Sequence, residues 1–330
     1  MNNSTVLKET KYTFLLPAYK KRFFSQALES IKNQTFRDFQ VIVSDDHSPE
    51  DLFSVFSEVC GNDNRFSFRR NEKNMGAKSL VSHWNMLVEL CNTEFFIMAG
   101  DDDIYSPTFL EEIDSLTCTH ENVDIIRGKA QRINSFGEVM AKDGPALECE
   151  NQIDALYGFF NLRRIHCIGN FAFRTAVFIE KGLFDDFPMA WGSDDTAYMK
   201  MTQNGICETQ NIVFSFRLSD INISGTAEGR KIALRSEARM QNLLFFEQFK
   251  NSVKIEDCLL SKTRFEEFCS FFTESWIRQI REGLEYSNWQ QFKKMHTFLR
   301  SRNAISSKFD TMHLLYTWFR ARNARIATKM

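Results

Sequence analysis

Three consecutive aspartates are the residues of this sequence best suited to binding a metal ion. Asp101, Asp102 and Asp103 follow an apolar segment that is typical of a buried strand. Carboxylates this close repel one another unless a cation or hydrogen bonds compensate their charge. Mg²⁺ prefers oxygen ligands and is usually held by one or two carboxylates together with substrate phosphates. The same residues also fit a solvated acidic turn that caps a helix before Ser106, so the residues alone leave both interpretations open.

Two further acidic pairs follow or precede regular elements. Asp45 and Asp46 end a segment rich in Val and Ile, where they could accept hydrogen bonds from a base or a ribose. Asp194 and Asp195 begin a helical pattern, where one could act as a general base toward an attacking hydroxyl. Local sequence favours a turn for the first pair and a helix cap for the second. The coincidence of two acidic strand ends in one alternating region is what favours a binding site.

The elements that must position these groups alternate between strand and helix over roughly the first hundred residues. Phe24, Ala27, Leu28 and Ile31 recur at the spacing of one helix face. The predicted strands are residues 12–16, ended by Pro17, then 39–44, 65–69 and 94–99, and a predicted helix covers residues 76–90. Ligands of open parallel sheets bind outside the carboxyl ends of strands. Both acidic clusters follow such ends, so a shared crevice is expected.

The rest of the chain predicts a hairpin followed mainly by helices. Residues 134–139 form a candidate hairpin that turns at Gly137, and helices are predicted near residues 152–160 and 195–203. From about Lys231 onward the pattern is almost wholly helical. Two apolar stripes mark these helices, one at Phe265, Phe268, Cys269, Phe272, Trp276 and Ile280 and one at Trp289, Phe292, His296 and Leu299.

Composition excludes several classes of protein. Of 330 residues, 43% are hydrophobic and 25% are charged, which predicts a folded protein of two lobes. The net charge of −2 gives no general attraction to nucleic acid, so no nucleic-acid partner is expected. The eight cysteines have no metal-ligand spacing and are predicted to be reduced thiols rather than disulfides. The first residues are polar and no apolar run approaches the ~20 residues that cross a bilayer, so a cytoplasmic location is expected.

Several segments together resemble the inverting family-two glycosyltransferases of the GT-A fold. The resemblance covers about residues 12–218. It is carried by Leu16-Pro17-Ala18-Tyr19, residues 27–35, residues 39–48 with the Asp45-Asp46 pair, Asn74-Met75-Gly76, residues 100–107 with the three aspartates, and Trp191-Gly192-Ser193-Asp194-Asp195. The last two segments resemble the DXD metal motif and the acidic element that holds the catalytic base.

The resemblance implies a role for each candidate residue. Donor binding would involve Pro17, Tyr19, Asp45, Asp46, Asn74, Gly76 and Asp101; Asp102 and Asp103 would hold the metal; and Asp195, with Asp194 beside it, would be the catalytic base. The cofactor would be a divalent cation, Mg²⁺ or Mn²⁺.

The resemblance also implies a fold and an activity. The fold would be α/β, a GT-A (Rossmann-like) mixed sheet with flanking helices over residues 1–225 and a helical C-terminal region over residues 226–330. The activity would be transfer of a hexose from a nucleotide-diphosphate sugar to a hydroxyl of a glycan or lipid-linked acceptor, with inversion, in surface polysaccharide or O-antigen synthesis.

Four positions depart from the family pattern. Lys20 stands where Asn is common, His47 where Gly is common, Gly100 where an acid often lies, and Asp194 where Glu is usual. Gly100 and Asp194 leave open an alternative, a nucleotide-sugar-binding protein without activity. A metal-dependent phosphatase or nucleotidyltransferase is less favoured, because the sequence has neither a Gly-rich phosphate loop nor an aspartyl-nucleophile motif.

The C-terminal segment has an apolar stripe with a basic edge. Met312, Leu315, Phe319 and Ile326 form the stripe, and Arg322, Arg325 and Lys329 lie along it. Such a helix could lie on an anionic membrane surface, which would place the protein at the inner face of the plasma membrane. An ordinary amphipathic helix docked on its own domain explains the pattern equally well.

Overall fold

A computed structural model describes residues 10–145, 147–160, 164–222, 225, 229–255 and 259–327. The chain divides into two compact units. The first unit comprises Met1–Asp185 and Ala197–Ser219, and the second comprises Asp186–Thr196 and Asp220–Met330. The predicted boundary between residues 225 and 226 stays a prediction.

The first unit is built on one sheet whose strand order is β3-β2-β1-β4-β9-β6-β10-β5, with β7 beside β6 and β8 beside β10. The strands are β1 Tyr12–Ala18, β2 Phe39–Asp45, β3 Phe66–Arg70, β4 Phe95–Met98, β5 Ile104–Tyr105, β6 Ile125–Ile133, β7 Val139–Lys142, β8 Cys149–Glu150, β9 Phe171–Arg174 and β10 Ile206–Arg217. The pairs β1–β2, β2–β3 and β1–β4 are parallel, whereas β9 runs antiparallel to both β4 and β6. The predicted α/β fold with a mixed sheet is confirmed.

Helices flank this sheet and make up most of the second unit. They are α1 Phe24–Lys32, α2 Leu52–Cys60, α3 Gly76–Glu89, α4 Phe109–Thr119, α5 Gln152–Phe160, α6 Thr175–Glu180, α7 Ser193–Met201, α8 Arg230–Phe249, α9 Leu259–Tyr286, α10 Trp289–Ser301 and α11 Lys308–Ala327. The predicted apolar face of α1 is buried in the core. The hairpin around Gly137 is confirmed as the β6–β7 pair, and Gly137 adopts a φ of 85° at its turn.

The first strand is longer than the sequence predicts. The prediction that Pro17 ends it is wrong, because β1 continues to Ala18 and Pro17 stays in register with Ser44 of β2. On the other side, β4 contacts β1 only as far as the carbonyl of Leu15, which accepts the Ala99 N–H. The missing N–H of Pro17 therefore interrupts no continuing ladder. This extension carries Tyr19 to the strand ends where the acidic residues lie.

One disulfide contradicts the prediction of reduced thiols. Cys149 and Cys207 are bonded across the antiparallel strands β8 and β10, where they lie directly opposite each other. They are 58 residues apart, so only the strand pairing brings them together. Among the other cysteines that the structure describes, Cys60, Cys91, Cys118 and Cys269 are free thiols. Cys258 lies outside the described residues.

The helices of the second unit share an apolar core. The predicted stripe of α9 is buried at Phe265, Phe268, Phe272, Trp276 and Ile280. Trp318 of α11 is buried among residues of α9 and α10 and donates its indole N–H to the Ser287 carbonyl. Among the helices in the described part of the chain, none has both the length and the hydropathy needed to span a bilayer.

Candidate functional site

The carboxyl ends of β1, β2 and β4 bring most of the predicted donor-binding residues together. These strands are neighbours in the sheet, with β1 in the centre. The Asp46 N–H donates to the Ala18 carbonyl, and the Tyr19 N–H donates to Asp101 Oδ2 at 2.9 Å. The ends of β2 and β4 are thus joined through the residues that follow Pro17.

Asp45 is a buried residue that holds the turn after β2. Its Oδ1 accepts the Ser48 N–H at 2.8 Å, and its Oδ2 forms an ion pair with Arg70. Between Asp45 and Ser48, His47 adopts a φ of 56°, a left-handed conformation that favours glycine. This conformation gives a physical reason for the Gly that the family commonly has where this chain has His47.

Asp46 holds the Asn-x-Gly turn at the start of α3. Its Oδ1 accepts the Met75 N–H at 2.8 Å and its Oδ2 accepts the Gly76 N–H at 2.7 Å. Asn74 caps the same helix by accepting the Ala77 N–H at 2.7 Å. A Cβ at Gly76 would lie 2.9 Å from Asp46 Oδ2, so this close approach requires glycine. The structure therefore places Asp46, Asn74 and Gly76 in one hydrogen-bonded unit.

Two further side chains complete the surroundings of Asp46. Asn71 donates its amide N–H to Asp46 Oδ1 at 2.9 Å, and His83 Nδ1 lies 3.8 Å from the same oxygen. Burial lowers the pKa of His83. A carboxylate can accept about four hydrogen bonds, so Asp46 retains acceptor capacity for a ribose or base.

The three consecutive aspartates are buried and face different partners. Asp101 Oδ2 accepts the backbone N–H groups of Tyr19 and Lys20, each at 2.9 Å. The Lys20 ammonium lies 3.1 Å from Asp101 Oδ1 and 2.7 Å from Asp102 Oδ2. Asp103 Oδ1 instead accepts the backbone N–H of Arg217 at 2.9 Å.

Arg217 is the second cation beside this cluster. Its Nε donates to the Asp102 carbonyl at 2.9 Å, and its guanidinium lies over the Phe23 ring at 4.3 Å. It is the last residue of β10, more than one hundred positions along the chain from the aspartates. Sequence reasoning missed it because no local pattern links the end of β10 to the end of β4.

Burial makes the charge on these aspartates costly. Burial, opposed by Lys20, raises the pKa of Asp102, and burial together with the charge of Asp102 raises the pKa of Asp103 well above its usual range. Burial lowers the pKa of Lys20, but the charges of Asp101 and Asp102 outweigh this effect and raise it overall. Lys20 offsets part of this cost, because its ammonium contacts both Asp101 and Asp102.

The donor set at Asp101 and Asp102 fits a single cation. One oxygen of each carboxylate already faces the same positive charge, the Lys20 ammonium. A hard divalent ion uses the same oxygen ligands. Asp103 directs Oδ1 toward a backbone N–H, so its predicted role as a ligand depends on its other oxygen.

The predicted catalytic pair lies in the first turn of α7 and belongs to the second unit. Asp195 Oδ2 forms an ion pair with Arg239 of α8 at 2.8 Å. Asp194 Oδ1 accepts the Asp195 N–H at 3.1 Å. Burial, together with the charge of Asp195, raises the pKa of Asp194 to about 7, although the charge of Arg239 opposes this.

Arg239 is held in turn by an amide side chain of α9 and by two tryptophan rings. Its Nε donates to Gln279 Oε1 at 3.0 Å, and its guanidinium lies near the rings of Trp191 and Trp276. Gly192 adopts a φ of 87°, and a Cβ there would lie 2.4 Å from Asn242 Oδ1. The Trp191-Gly192 segment therefore fits closely against α8. Within α8, Arg239 shows only the pattern of an ordinary helix, so nothing in the sequence links it to Asp195.

Comparison with known proteins identifies sequence and structural relatives. The family profile described as Glycosyl transferase family 2 matches residues 13–178. A GalNAc(5)-diNAcBac-PP-undecaprenol beta-1,3-glucosyltransferase of Campylobacter jejuni is 29% identical over 94 residues, 28% of this chain and 30% of that protein. Chondroitin synthase of Escherichia coli is 28% identical over 112 residues, 34% of this chain and 16% of that protein. The matches thus span less than a third of either curated relative.

Two solved structures share the fold at low sequence identity. S. aureus TarS residues 1–349, solved with UDP-GlcNAc, has a TM-score of 0.62 and 13% identity, covering 96% of this chain and 92% of that one. The mannosyltransferase PcManGT of Pyrobaculum calidifontis, solved with GDP-Man and Mn²⁺, has a TM-score of 0.53 and 11% identity, covering 97% and 88%. At these identities the likeness shows the GT-A fold alone.

The contact between Asp46 and Gly76 predicts opposite effects for two Gly→Ala substitutions in helices. Gly76→Ala should lower the free energy of unfolding by about 1–2 kcal/mol, because the new Cβ would press on a buried carboxylate. Gly158→Ala in α5 is the control, since its Cβ would lie 3.4 Å from the Arg164 side chain, an ordinary van der Waals distance, and a gain of up to ~1 kcal/mol is expected. Urea unfolding measures both. A stabilised Gly76→Ala variant would contradict the contact.

The raised pKa of Asp194 predicts a pH-dependent stability difference between the wild type and Asp194→Asn. The folded protein binds this proton more tightly than the unfolded chain, so the wild type loses stability relative to the variant as pH rises from about 4 to about 7. The difference should change by up to about 1 kcal/mol per pH unit in this range and level off above it. Urea unfolding at a series of pH values measures it. A difference that stays constant with pH would show that Asp194 titrates normally.

Proposed function

The chain belongs to glycosyl transferase family 2, and on this basis we propose that it transfers a hexose from a nucleotide-diphosphate sugar to a hydroxyl of a glycan or lipid-linked acceptor. The observation that carries the proposal is that Asp46 follows β2 and that Asp101 and Asp102 follow β4, and that both strand ends are hydrogen-bonded to the end of β1 between them. Such ends are where ligands bind in open α/β sheets. The product would be a surface polysaccharide or O-antigen chain.

In this proposal the residues after β1 and β2 bind the nucleoside of the donor. Asp46 would accept hydrogen bonds from the ribose or base, and Asp45 would support it by fixing the turn through Ser48 and Arg70. Asn74 and Gly76 would act by holding the Asp46 carboxylate in place. Pro17 and Tyr19 would line the same edge of the sheet, where Tyr19 is tied to Asp101.

The acidic cluster would face the diphosphate of the donor. Asp102, with Asp101, would hold Mg²⁺ or Mn²⁺, and Asp103 is the further predicted ligand. When bound, such an ion stabilises the negative charge that develops on a departing diphosphate. The chain's own contribution is a buried setting in which charge interactions are strong. The PcManGT structure was solved with GDP-Man and Mn²⁺, which supports this assignment by analogy.

Asp195 would be the catalytic base. The acceptor oxygen would form a bond to the anomeric carbon as the bond to the diphosphate breaks, and the proton of the hydroxyl would pass to the Asp195 carboxylate. A single displacement of this kind inverts the configuration at the anomeric carbon. The ion pair with Arg239 orients the carboxylate, and Asp194 lies beside it.

The proposal predicts that Asp195→Asn separates donor binding from turnover. Nucleotide binding should change by less than about twofold, whereas turnover should fall by roughly 10²–10⁴, because the amide cannot accept the proton. Calorimetry measures binding, and release of nucleoside diphosphate from a panel of nucleotide sugars with a bacterial glycolipid extract measures turnover. Glu282→Gln, which changes an exposed carboxylate on α9 of the same unit, is the control and should match the wild type.

The same experiment tests the alternative of a binding protein without activity. A wild-type chain that binds a nucleotide sugar but never releases nucleoside diphosphate would favour that alternative. Full turnover by Asp195→Asn would remove the base assignment.

We further propose that the protein attaches to the anionic inner face of the plasma membrane through α11. Its exposed side is apolar at Phe309, Met312, Tyr316 and Phe319, which are 51% to 78% exposed. These residues recur at helical spacing on the side opposite the buried Trp318. Leu315 of the predicted stripe is half-buried, and the side chains of Arg325, Ile326 and Lys329 lie outside the described residues.

Charge and ligand chemistry support this attachment. Lys308, Arg320 and Arg322 are exposed on the same helix, which favours an anionic surface. The name of the Campylobacter jejuni relative includes a polyprenyl diphosphate, a lipid-borne acceptor. An acceptor of that kind would meet the protein at the bilayer.

The membrane proposal predicts that Phe309→Ser with Phe319→Ser reduces flotation with vesicles containing anionic phospholipid by about fivefold or more. Both substitutions are at exposed positions, so folding should be retained. Leu244→Ser with Leu260→Ser removes two exposed apolar side chains from other helices of the second unit and is the control. Equal flotation of the two double variants would contradict attachment through α11.

A further inference from the structure

We propose that the Lys20 ammonium is a built-in counter-ion, which a divalent cation must displace from Asp101 and Asp102 before it can bind. The inference rests on the proposed function, since it concerns the same cation. It assigns to Lys20 the role of keeping the affinity for the cation low until the donor diphosphate is present.

Lys20 occupies the position that a bound cation would take. Its Nζ lies 2.7 Å from Asp102 Oδ2 and 3.1 Å from Asp101 Oδ1, so it bridges two carboxylates. Its backbone N–H also donates to Asp101 Oδ2 at 2.9 Å. The residue is therefore fixed to the cluster at both its backbone and its side chain.

A divalent ion that bridges Asp101 Oδ1 and Asp102 Oδ2 competes with this ammonium for one position. Mg²⁺ binds carboxylate oxygens at about 2.1 Å, and an ammonium at hydrogen-bond distance from those oxygens would lie against the ion. Two positive charges at that separation repel strongly in a buried setting. Binding of the ion therefore requires the Lys20 side chain to leave.

Two further oxygens of the cluster accept backbone hydrogen bonds. Asp101 Oδ2 accepts two backbone N–H groups, and Asp103 Oδ1 accepts the N–H of Arg217. Beside the cluster, a Cβ at Gly100 would lie 2.7 Å from Asp103 Oδ2 and 3.3 Å from Asp102 Oδ1. An acidic side chain at residue 100 would therefore crowd these carboxylates. The family commonly has Asn where this chain has Lys20, and often an acid where it has Gly100. Both residues therefore make the cluster less negative than the family pattern would.

Donor binding brings a new negative charge close to the displaced Lys20 ammonium. The diphosphate of a nucleotide sugar carries negative charge, with which Lys20 can pair once it leaves the carboxylates. The cation and the diphosphate then strengthen each other's binding, and this coupling is reciprocal. The coupling should be larger in the wild type than in a variant without the ammonium.

The test measures Mn²⁺ binding to the full chain by electron paramagnetic resonance, without any donor. Lys20→Met and Lys20→Asn should each bind Mn²⁺ about tenfold more tightly than the wild type, a difference of one decade in affinity. Lys20→Arg keeps the charge and should bind as weakly as the wild type. Lys21→Asn removes the neighbouring exposed lysine and is the matched control, with an expected change of less than about twofold.

Circular dichroism establishes that each variant is folded. Two neutral variants, Lys20→Met and Lys20→Asn, are used so that a local structural defect in one of them does not decide the result. Mn²⁺ affinity that is unchanged or weaker in both Lys20→Met and Lys20→Asn would overturn the inference. Calorimetry with nucleoside diphosphates, carried out both in Mn²⁺ and in EDTA, distinguishes this result from failure of the proposed function. A gain in Mn²⁺ affinity without nucleotide binding would support the role of Lys20 and refute the donor site. Nucleotide binding without a gain in Mn²⁺ affinity would support the donor site and refute the role of Lys20.

Discussion

The charge of three adjacent buried aspartates is the constraint around which the first unit is organised. Asp101, Asp102 and Asp103 follow β4, where water cannot solvate all three. Lys20 and Arg217 compensate them, one from the loop after β1 and the other from the end of β10. Because these two residues come from distant parts of the chain, the acidic cluster joins the two sides of the sheet. The same compensation fixes the carboxylates at the edge of the sheet where we propose that the donor diphosphate and its cation bind.

A similar logic governs the acidic pair after β2. Asp45 and Asp46 do not point into solvent but hold the two turns that follow β2 and β3. Their hydrogen bonds fix loop backbones that have little apolar burial of their own. A nucleoside would therefore meet a preorganised edge, and little ordering of loops would oppose its binding. In the second unit, Arg239 does for Asp195 what Lys20 does for Asp102, since each basic side chain fixes a carboxylate in one orientation.

Features that depend on local pattern could be predicted from the sequence. Strand and helix alternation gave the parallel strands and therefore the shared edge of Asp46 and Asp101. The features that could not be predicted depend on contacts between distant residues. Arg217 and Arg239 have no local signal, and the Cys149–Cys207 disulfide exists only because β8 and β10 run side by side. The effect of Pro17 on the length of β1 also could not be predicted, because it depends on where the neighbouring strand β4 ends.

We propose that these carboxylates form a binding site for a nucleoside diphosphate and a divalent cation. Thermal unfolding of the wild-type chain with a panel of nucleoside diphosphates, each with Mn²⁺ and with EDTA, tests for this site. One nucleoside diphosphate should raise Tm clearly more in Mn²⁺ than in EDTA. If no nucleoside diphosphate raises Tm under either condition, the acidic edge of this sheet is not a donor site.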